Sequence, residues 1–188
     1  MASLAPAFLV SMPQLVDPNF NRTVILLCRH SEEDGAFGLV VNRPLVTTGR
    51  VVVNLDPPAA TERELELWVG GPVEPERSWM LVGGEAADAE SAGGIAIADG
   101  LYLSTSPNLL RRLLEPRPPA HVRLVVGYAG WGPGQLEAEL EESAWLISDI
   151  DRELIFTTPP EEMWEAAIRR LGTDPAALQT SSGTSGVH

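Results

Sequence analysis

From Phe8 to Ser148 the chain is dominated by short apolar runs separated by Gly, Pro, Asn and Asp, a pattern of many strands. FLVSM (Phe8–Met12) predicts a short strand, with turn residues following in PQLVDPNFN. TVILLCRH (Thr23–His30) is β-rich and almost continuously apolar, as a strand buried on both faces would be. SEEDG then supplies a polar turn, and AFGLVVN (Ala36–Asn42) returns as the second arm of a hairpin closed by Arg43 and Pro44. Further strands are expected through Val69, where Gly70, Gly71 and Pro72 end the run, then over SWMLVG, HVRLVVGYA and AWLIS. GIAIADGLYLS reads as a tight hairpin about Asp99 and Gly100. The segment TGRVVVNL is ambiguous: three valines favour a strand, whereas Val51 and Leu55 could share a helical face.

Helical signals are fewer. SPNLLRRLLE carries Ser106 as an N-cap with Pro107 at the first position. Near the C-terminus, Thr158 to Glu161 fits a capping box, Trp164, Ile168 and Leu171 fall on one face, and Gly172 ends the helix. A third begins after the Gly-rich stretch GYAGWGPGQLEAEL, with Pro133 available at its first position. Residues 179–188 are small and polar and are expected to form a disordered tail behind a single domain over 1–178. Strands and helices in irregular order give an α+β fold.

Composition narrows the chemistry. The 188-residue chain has a net charge of −13, and all 13 of its basic residues are arginine. Without lysine there is no Walker A loop and no Schiff-base chemistry. The negative charge repels a phosphate backbone, so direct nucleic-acid binding is disfavoured, and no basic recognition helix is visible. One cysteine excludes an intramolecular disulfide and paired-cysteine zinc sites. No apolar run approaches the roughly 20 residues of a membrane span, and the N-terminus lacks a signal peptide's basic region. A cytoplasmic protein with no membrane partner is expected.

Cys28 and His30 lie two apart on one strand, so strict alternation puts them on the same face, where they could pair as nucleophile and base or hold a metal with Glu32 or Glu33. No third ligand has a recognised spacing, and a small buried cysteine beside a histidine is the plainer reading; no metal or cofactor is expected. Glu137, Glu139, Glu141 and Glu142 could contain an acid–base pair, although four glutamates in six positions read more simply as a solvated face. GxSxG, HExxH and CxxC are all absent. Arg22 and Arg43 sit at turns, where a planar guanidinium either receives an anion or caps loop carbonyls and pairs with an acid. In the Gly-rich stretch, strand, glycines and helix start could expose N–H groups to an anion. The G-x-G-x-G spacing over Gly130, Gly132 and Gly134 puts Gln135 where a dinucleotide fingerprint needs glycine, so close packing around Tyr128 and Trp131 is the competing explanation.

Four segments in order, MPQLVDPNFNRTVILLCRHSEEDGAFGLVVNRP, GGPV, LYLSTSP and GYAGWGPGQLEAEL…AWL, resemble the AlgH/YqgE family of bacterial proteins over about Phe8 to Leu171. The resemblance implies a single compact domain with a mixed, bifurcated, partly barrel-like sheet flanked by helices. It also implies a cytoplasmic protein of a family often labelled a transcriptional regulator, a label that comes from alginate regulation. The family pattern falls on Asp17, Pro18, Asn19, Phe20 and Arg22, on His30, Gly35, Gly38, Asn42, Arg43 and Pro44, on Gly70, Gly71 and Pro72, and on Gly127, Tyr128, Gly130, Trp131, Gln135 and Glu139. It supplies no roles for them. Two departures stand out: RSWMLVGG lacks the histidine that relatives usually carry at that strand's end, and TGRVVVNL stands where the family has a helix.

The expectation is a non-enzymatic ligand- or partner-binding regulatory domain that takes a small anion or a protein partner. Its candidate site residues are Asn19, Arg22, His30, Asn42, Arg43, Gly130, Trp131 and Gln135. The alternatives are an enzyme using Cys28 with His30 or the helix carboxylates, and a regulator that binds DNA directly.

Overall fold

The computed structural model describes residues 3–47, 51–53, 55, 57–62, 65–84, 95–116 and 121–178; the expected tail over 179–188 lies outside them. In chain order the elements are β1 (Ala7–Ser11), β2 (Val24–Ser31), β3 (Gly35–Val40), β4 (Pro44–Val46), β5 (Val51–Val53), β6 (Ala59–Thr61), β7 (Glu66–Val69), β8 (Val73–Gly83), β9 (Ile95–Ala98) and β10 (Leu101–Ser104). These are followed by α1 (Pro107–Leu113), β11 (Val122–Trp131), α2 (Gln135–Glu141), β12 (Trp145–Ser148), α3 (Arg152–Phe156) and α4 (Pro160–Arg170).

The fold is α+β, built on a mixed sheet curled into a half-barrel, with strand order β12-β1-β2-β3-β11-β8-β10-β9. The sheet forks at β11. Leu124–Val126 run between β7, parallel, and β8, antiparallel, whereas Ala129–Trp131 pair with β3. Gly127 sits at the fork with φ +75°, and Gly70 and Gly71 press against it. A Cβ on Gly70 would stand 2.5 Å from the Gly127 carbonyl oxygen, so at this crossing backbone packs directly on backbone. That is why GGPV and the Gly-rich stretch occur in one protein.

Alternation decides what covers each face. Phe8, Val10, Val24, Leu26 and Leu39 point inward against Leu154 and Ile155 of α3 and Met163, Trp164 and Ile168 of α4. Each such large side chain contributes roughly 1.5–3 kcal/mol on burial. Leu9, Ile25 and Leu27 point outward beneath α2, packing with Trp131, Leu136 and Trp145. At the other end α1 covers Met80, Val82 and Leu124.

Several local expectations hold. Ser106 caps α1 through its hydroxyl, with Pro107 in the first turn, and Gly172 closes α4 at φ +84°. Others are corrected. Val51–Val53 pair with Ala59–Thr61 as strands, so the helix implied by family resemblance is absent there. Thr158 does not cap α4: Pro159 occupies the N-cap, Pro160 begins the helix and no side chain caps it. Leu171 lies just past the helix and is exposed. Helix α2 starts at Gln135 behind a left-handed Gly134, which leaves Pro133 in the preceding turn.

Candidate functional site: a cavity made by irregular strands

Two irregularities in the sheet determine which side chains share a space. Along the β2–β3 ladder, Leu27 opposes Gly38 and Arg29 opposes Phe37, leaving Cys28 as an extra residue. A bulge of this kind resets alternation. Cys28 stays on the inner side with Leu26, Arg29 joins it against the same cavity, and His30 turns to the outer side. The expectation that Cys28 and His30 share a face is therefore overturned, and with it both their nucleophile–base pairing and the metal site with Glu32 or Glu33. Between β8 and β11, Ser78 opposes Val126 and Val73 opposes Tyr128, so the stretch Glu74–Arg77 swells out opposite Gly127 alone. Glu74 takes φ +45° within it, and its carboxylate lies 3.6 Å from Arg77.

Between these irregularities lies a cavity of about 740 Å3. Three rings form one wall: Phe37 stands 5.5 Å from Trp79 and 5.0 Å from Tyr128, and Trp79 meets Tyr128 edge-on at 5.6 Å. Ile97 and Leu103 supply an aliphatic side. The cations are Arg77, whose guanidinium lies 5.0 Å above the Trp79 ring, and Arg29, which makes no hydrogen bond or ion pair among the described residues. Burial pushes the Cys28 thiol up to about 12, against a weaker downward pull from Arg29. The Tyr128 phenol is also raised, by desolvation first and then by the Glu74 carboxylate.

The residues singled out from the sequence occupy other places. Arg43 spans the DPNFN loop, donating to the carbonyls of Pro18 at 2.9 Å, Asn19 at 2.7 Å and Asn21 at 2.9 Å. Asn42 receives the Val24 N–H and donates to the Arg22 carbonyl, both at 3.0 Å. Arg22, at φ +54°, pairs with Glu165 at 3.2 Å and lies 4.6 Å above the Trp164 ring. Asn19 and Arg43 border a cleft of about 60 Å3 with Gly71 and Pro72, and none of His30, Trp131 or Gln135 lines it.

His30 is buried with both ring nitrogens engaged. Nδ1 accepts the Leu4 N–H at 3.0 Å, so Nε2 carries the proton and donates to Glu137. That hydrogen bond is the main cause holding the Glu137 carboxyl below its ordinary range. Two residues on, the Glu139 carboxyl is raised by burial, although it accepts Trp131 Nε1 at 2.6 Å. The Trp145 indole N–H also bears on this carboxylate without completing a hydrogen bond. Gln135 accepts the Gly132 N–H at 2.9 Å, which spends a donor that an anion cradle would need. Gly130 leaves room for the Tyr128 ring: a Cβ there would lie 3.3 Å from Tyr128 Cε2. Among the described residues no cluster of His, Cys, Asp and Glu has metal-site geometry.

Sequence reasoning missed Arg29, Phe37, Arg77 and Trp79 as one constellation. Tyr128, inside the Gly-rich stretch, was the available signal.

A forked α+β half-barrel in which glycines cross backbone on backbone defines a recognisable class. The chain belongs to the AlgH-like family, whose model matches residues 8–176. A UPF0301 protein of Anaeromyxobacter dehalogenans (strain 2CP-1) is 43% identical over 190 residues, covering 97% of this chain and 95% of that one. A UPF0301 protein of Myxococcus xanthus is 41% identical, covering 97% and 99%. The solution structure of the AlgH protein from Pseudomonas aeruginosa aligns at a TM-score of 0.69 and 36% identity, over 95% of this chain and 94% of that one. A Corynebacterium diphtheriae protein shares the fold, with a TM-score of 0.67 at 23% identity. No helix among the described residues is long and apolar enough to cross a membrane.

Proposed function

We propose that this protein is a non-enzymatic, cytoplasmic ligand-binding domain with a regulatory role, and that its ligand enters the cavity between β2, β8, β10 and β11. The observation that carries this reading is the cavity itself, whose 740 Å3 fall within the size range of small-molecule sites and whose lining sets aromatic and aliphatic side chains beside Arg29, Arg77 and Thr105. The chemistry around it supports binding over catalysis. The Cys28 thiol stays protonated at physiological pH and its nearest expected base, His30, faces away. Of the two roles open to Arg22 and Arg43 at their turns, both take the second, bonding to Glu165 and to loop carbonyls. Direct DNA binding is disfavoured by the net charge of −13.

The neutral fluorophore N-phenyl-1-naphthylamine tests this reading. The wild-type chain is expected to take up one equivalent with enhanced emission, and Leu103→Trp, which fills the aliphatic side, is expected to abolish uptake while keeping the near-ultraviolet circular dichroism of a folded protein. Absence of uptake, or uptake that Leu103→Trp leaves unchanged, refutes it.

A further inference from the structure

The cavity's two cations come from two unrelated irregularities of the sheet, and both converge on the aromatic wall. Arg29 is brought beside Cys28 by the unpaired residue in β2. Arg77 is carried by the swelling of β8 and held over Trp79. In regular strands neither placement follows: alternation would send Arg29 to the outer face with Leu27, and a straight β8 has no swelling to carry Arg77.

Their surroundings set the charge of what fits. The chain has 26 acidic residues against 13 basic ones, yet the described residues that line the cavity include two arginines and no carboxylate. Arg29 makes neither a hydrogen bond nor an ion pair among the described residues. Arg77 is partly spent on Glu74, and the 3.6 Å separation and exposed side chains make that a weak surface pair. Glu74 partly offsets Arg77, and Arg29 has no ion pair among the described residues, which leaves about one positive charge of the lining for a ligand. That matches a monoanion. A polyphosphate would meet too little positive charge here and the long-range repulsion of a strongly acidic protein.

The wall sets the shape. Phe37, Trp79 and Tyr128 offer ring faces and edges at mutual centroid distances of 5.0–5.6 Å, the range in which aromatic groups attract one another. A flat ring entering among them gains contacts that a flexible alkyl chain gains only by ordering its rotors. Arg29 is free to close on an oxyanion with its planar fork.

Resting on the ligand-binding reading above, we infer that the cavity selects a flat aromatic monoanion, a carboxylate or sulfonate on two or three rings, with Arg29 and Arg77 on the oxyanion and the Phe37–Trp79–Tyr128 wall on the rings.

The probe is 1-anilinonaphthalene-8-sulfonate, compared with uncharged N-phenyl-1-naphthylamine, which has the same ring scaffold. The sulfonate is expected to bind more tightly. Arg29→Met and Arg77→Met are each expected to weaken the sulfonate by about tenfold, the loss of one charge-assisted contact, while leaving the neutral probe unchanged. Arg169→Met removes the same charge from the exposed end of α4 and is expected to change neither. In displacement, naphthalene-2-carboxylate is expected to compete at lower concentration than decanoate. Equal affinity for the two probes, or a sulfonate affinity indifferent to Arg29 and Arg77, overturns the anion selectivity and leaves the cavity reading standing. Stronger competition by decanoate overturns the aromatic selectivity. Failure of both probes to bind overturns this inference and the binding reading together.

Discussion

Gly127→Ala and Gly134→Ala form a matched pair that isolates the role of the sheet fork. Both glycines have left-handed backbone, at φ +75° and +76°, so alanine carries a similar conformational cost of about 1 kcal/mol at either position. Their surroundings differ completely. Around Gly134 nothing lies within 4 Å of an added Cβ, whereas at Gly127 that Cβ would fall well inside 3.0 Å of the Gly71 carbonyl oxygen, a backbone atom that cannot swing aside. Relieving the overlap means moving the β7–β8 corner, at a further cost of about 3 kcal/mol, the upper end for overpacking. For a domain of this size each kcal/mol lowers the melting temperature by about 2–4 °C. Gly134→Ala should therefore melt about 3 °C below the wild type and Gly127→Ala about 12 °C below it, by circular dichroism at 222 nm. Equal losses for the two variants would mean that the backbone crossing is not what requires glycine at 127.

Arg43→Met removes three hydrogen bonds to loop carbonyls and should cost about 2–3 kcal/mol in urea unfolding, with Arg43→Lys recovering only part of it. A stability unchanged in the methionine variant would show the loop to be held by something else. With its thiol near 12, Cys28 should react with a disulfide reagent at pH 8 about 1000-fold more slowly in the folded chain than in urea, and comparable rates would contradict its burial. The lowered Glu137 carboxyl is a group whose folded pKa is depressed, so its stabilisation is full above the ordinary value of 4.5 and is lost as pH falls through the lower folded value. The stability gap between wild type and Glu137→Gln should accordingly close as pH drops below that point. A gap that persists at low pH would remove the charge from the explanation.

What could be read from the chain was mostly local. The 23–42 hairpin, the cap at Ser106 and the Asp99–Gly100 turn each follow from neighbouring residues, and the resemblance carried the forked sheet. The site was harder to read for a reason that Cys28, Arg29 and His30 make plain. Alternation assigns faces only while the ladder stays in register, and one extra residue exchanges the faces of everything after it. Whether β2 carries that residue depends on how Gly38 and Phe37 settle against it from β3, which no local pattern in TVILLCRH announces. The swelling of β8 depends in the same way on Gly127, about fifty positions away. Arg22 and Arg43 stood out because they flank turns; the contacts they make there are with the loop itself and with Glu165.

The most direct test of the central claim, that irregular strands build one aromatic, cationic binding cavity, is a titration of the five tryptophan indole N–H signals by 15N NMR with 1-anilinonaphthalene-8-sulfonate. Saturable movement of the Trp79 signal is predicted. Trp131, bound to Glu139, and Trp164, bound to the Ser11 carbonyl, should stay in place. Saturable binding that leaves Trp79 unmoved, or that shifts Trp131 and Trp164 instead, would contradict the account.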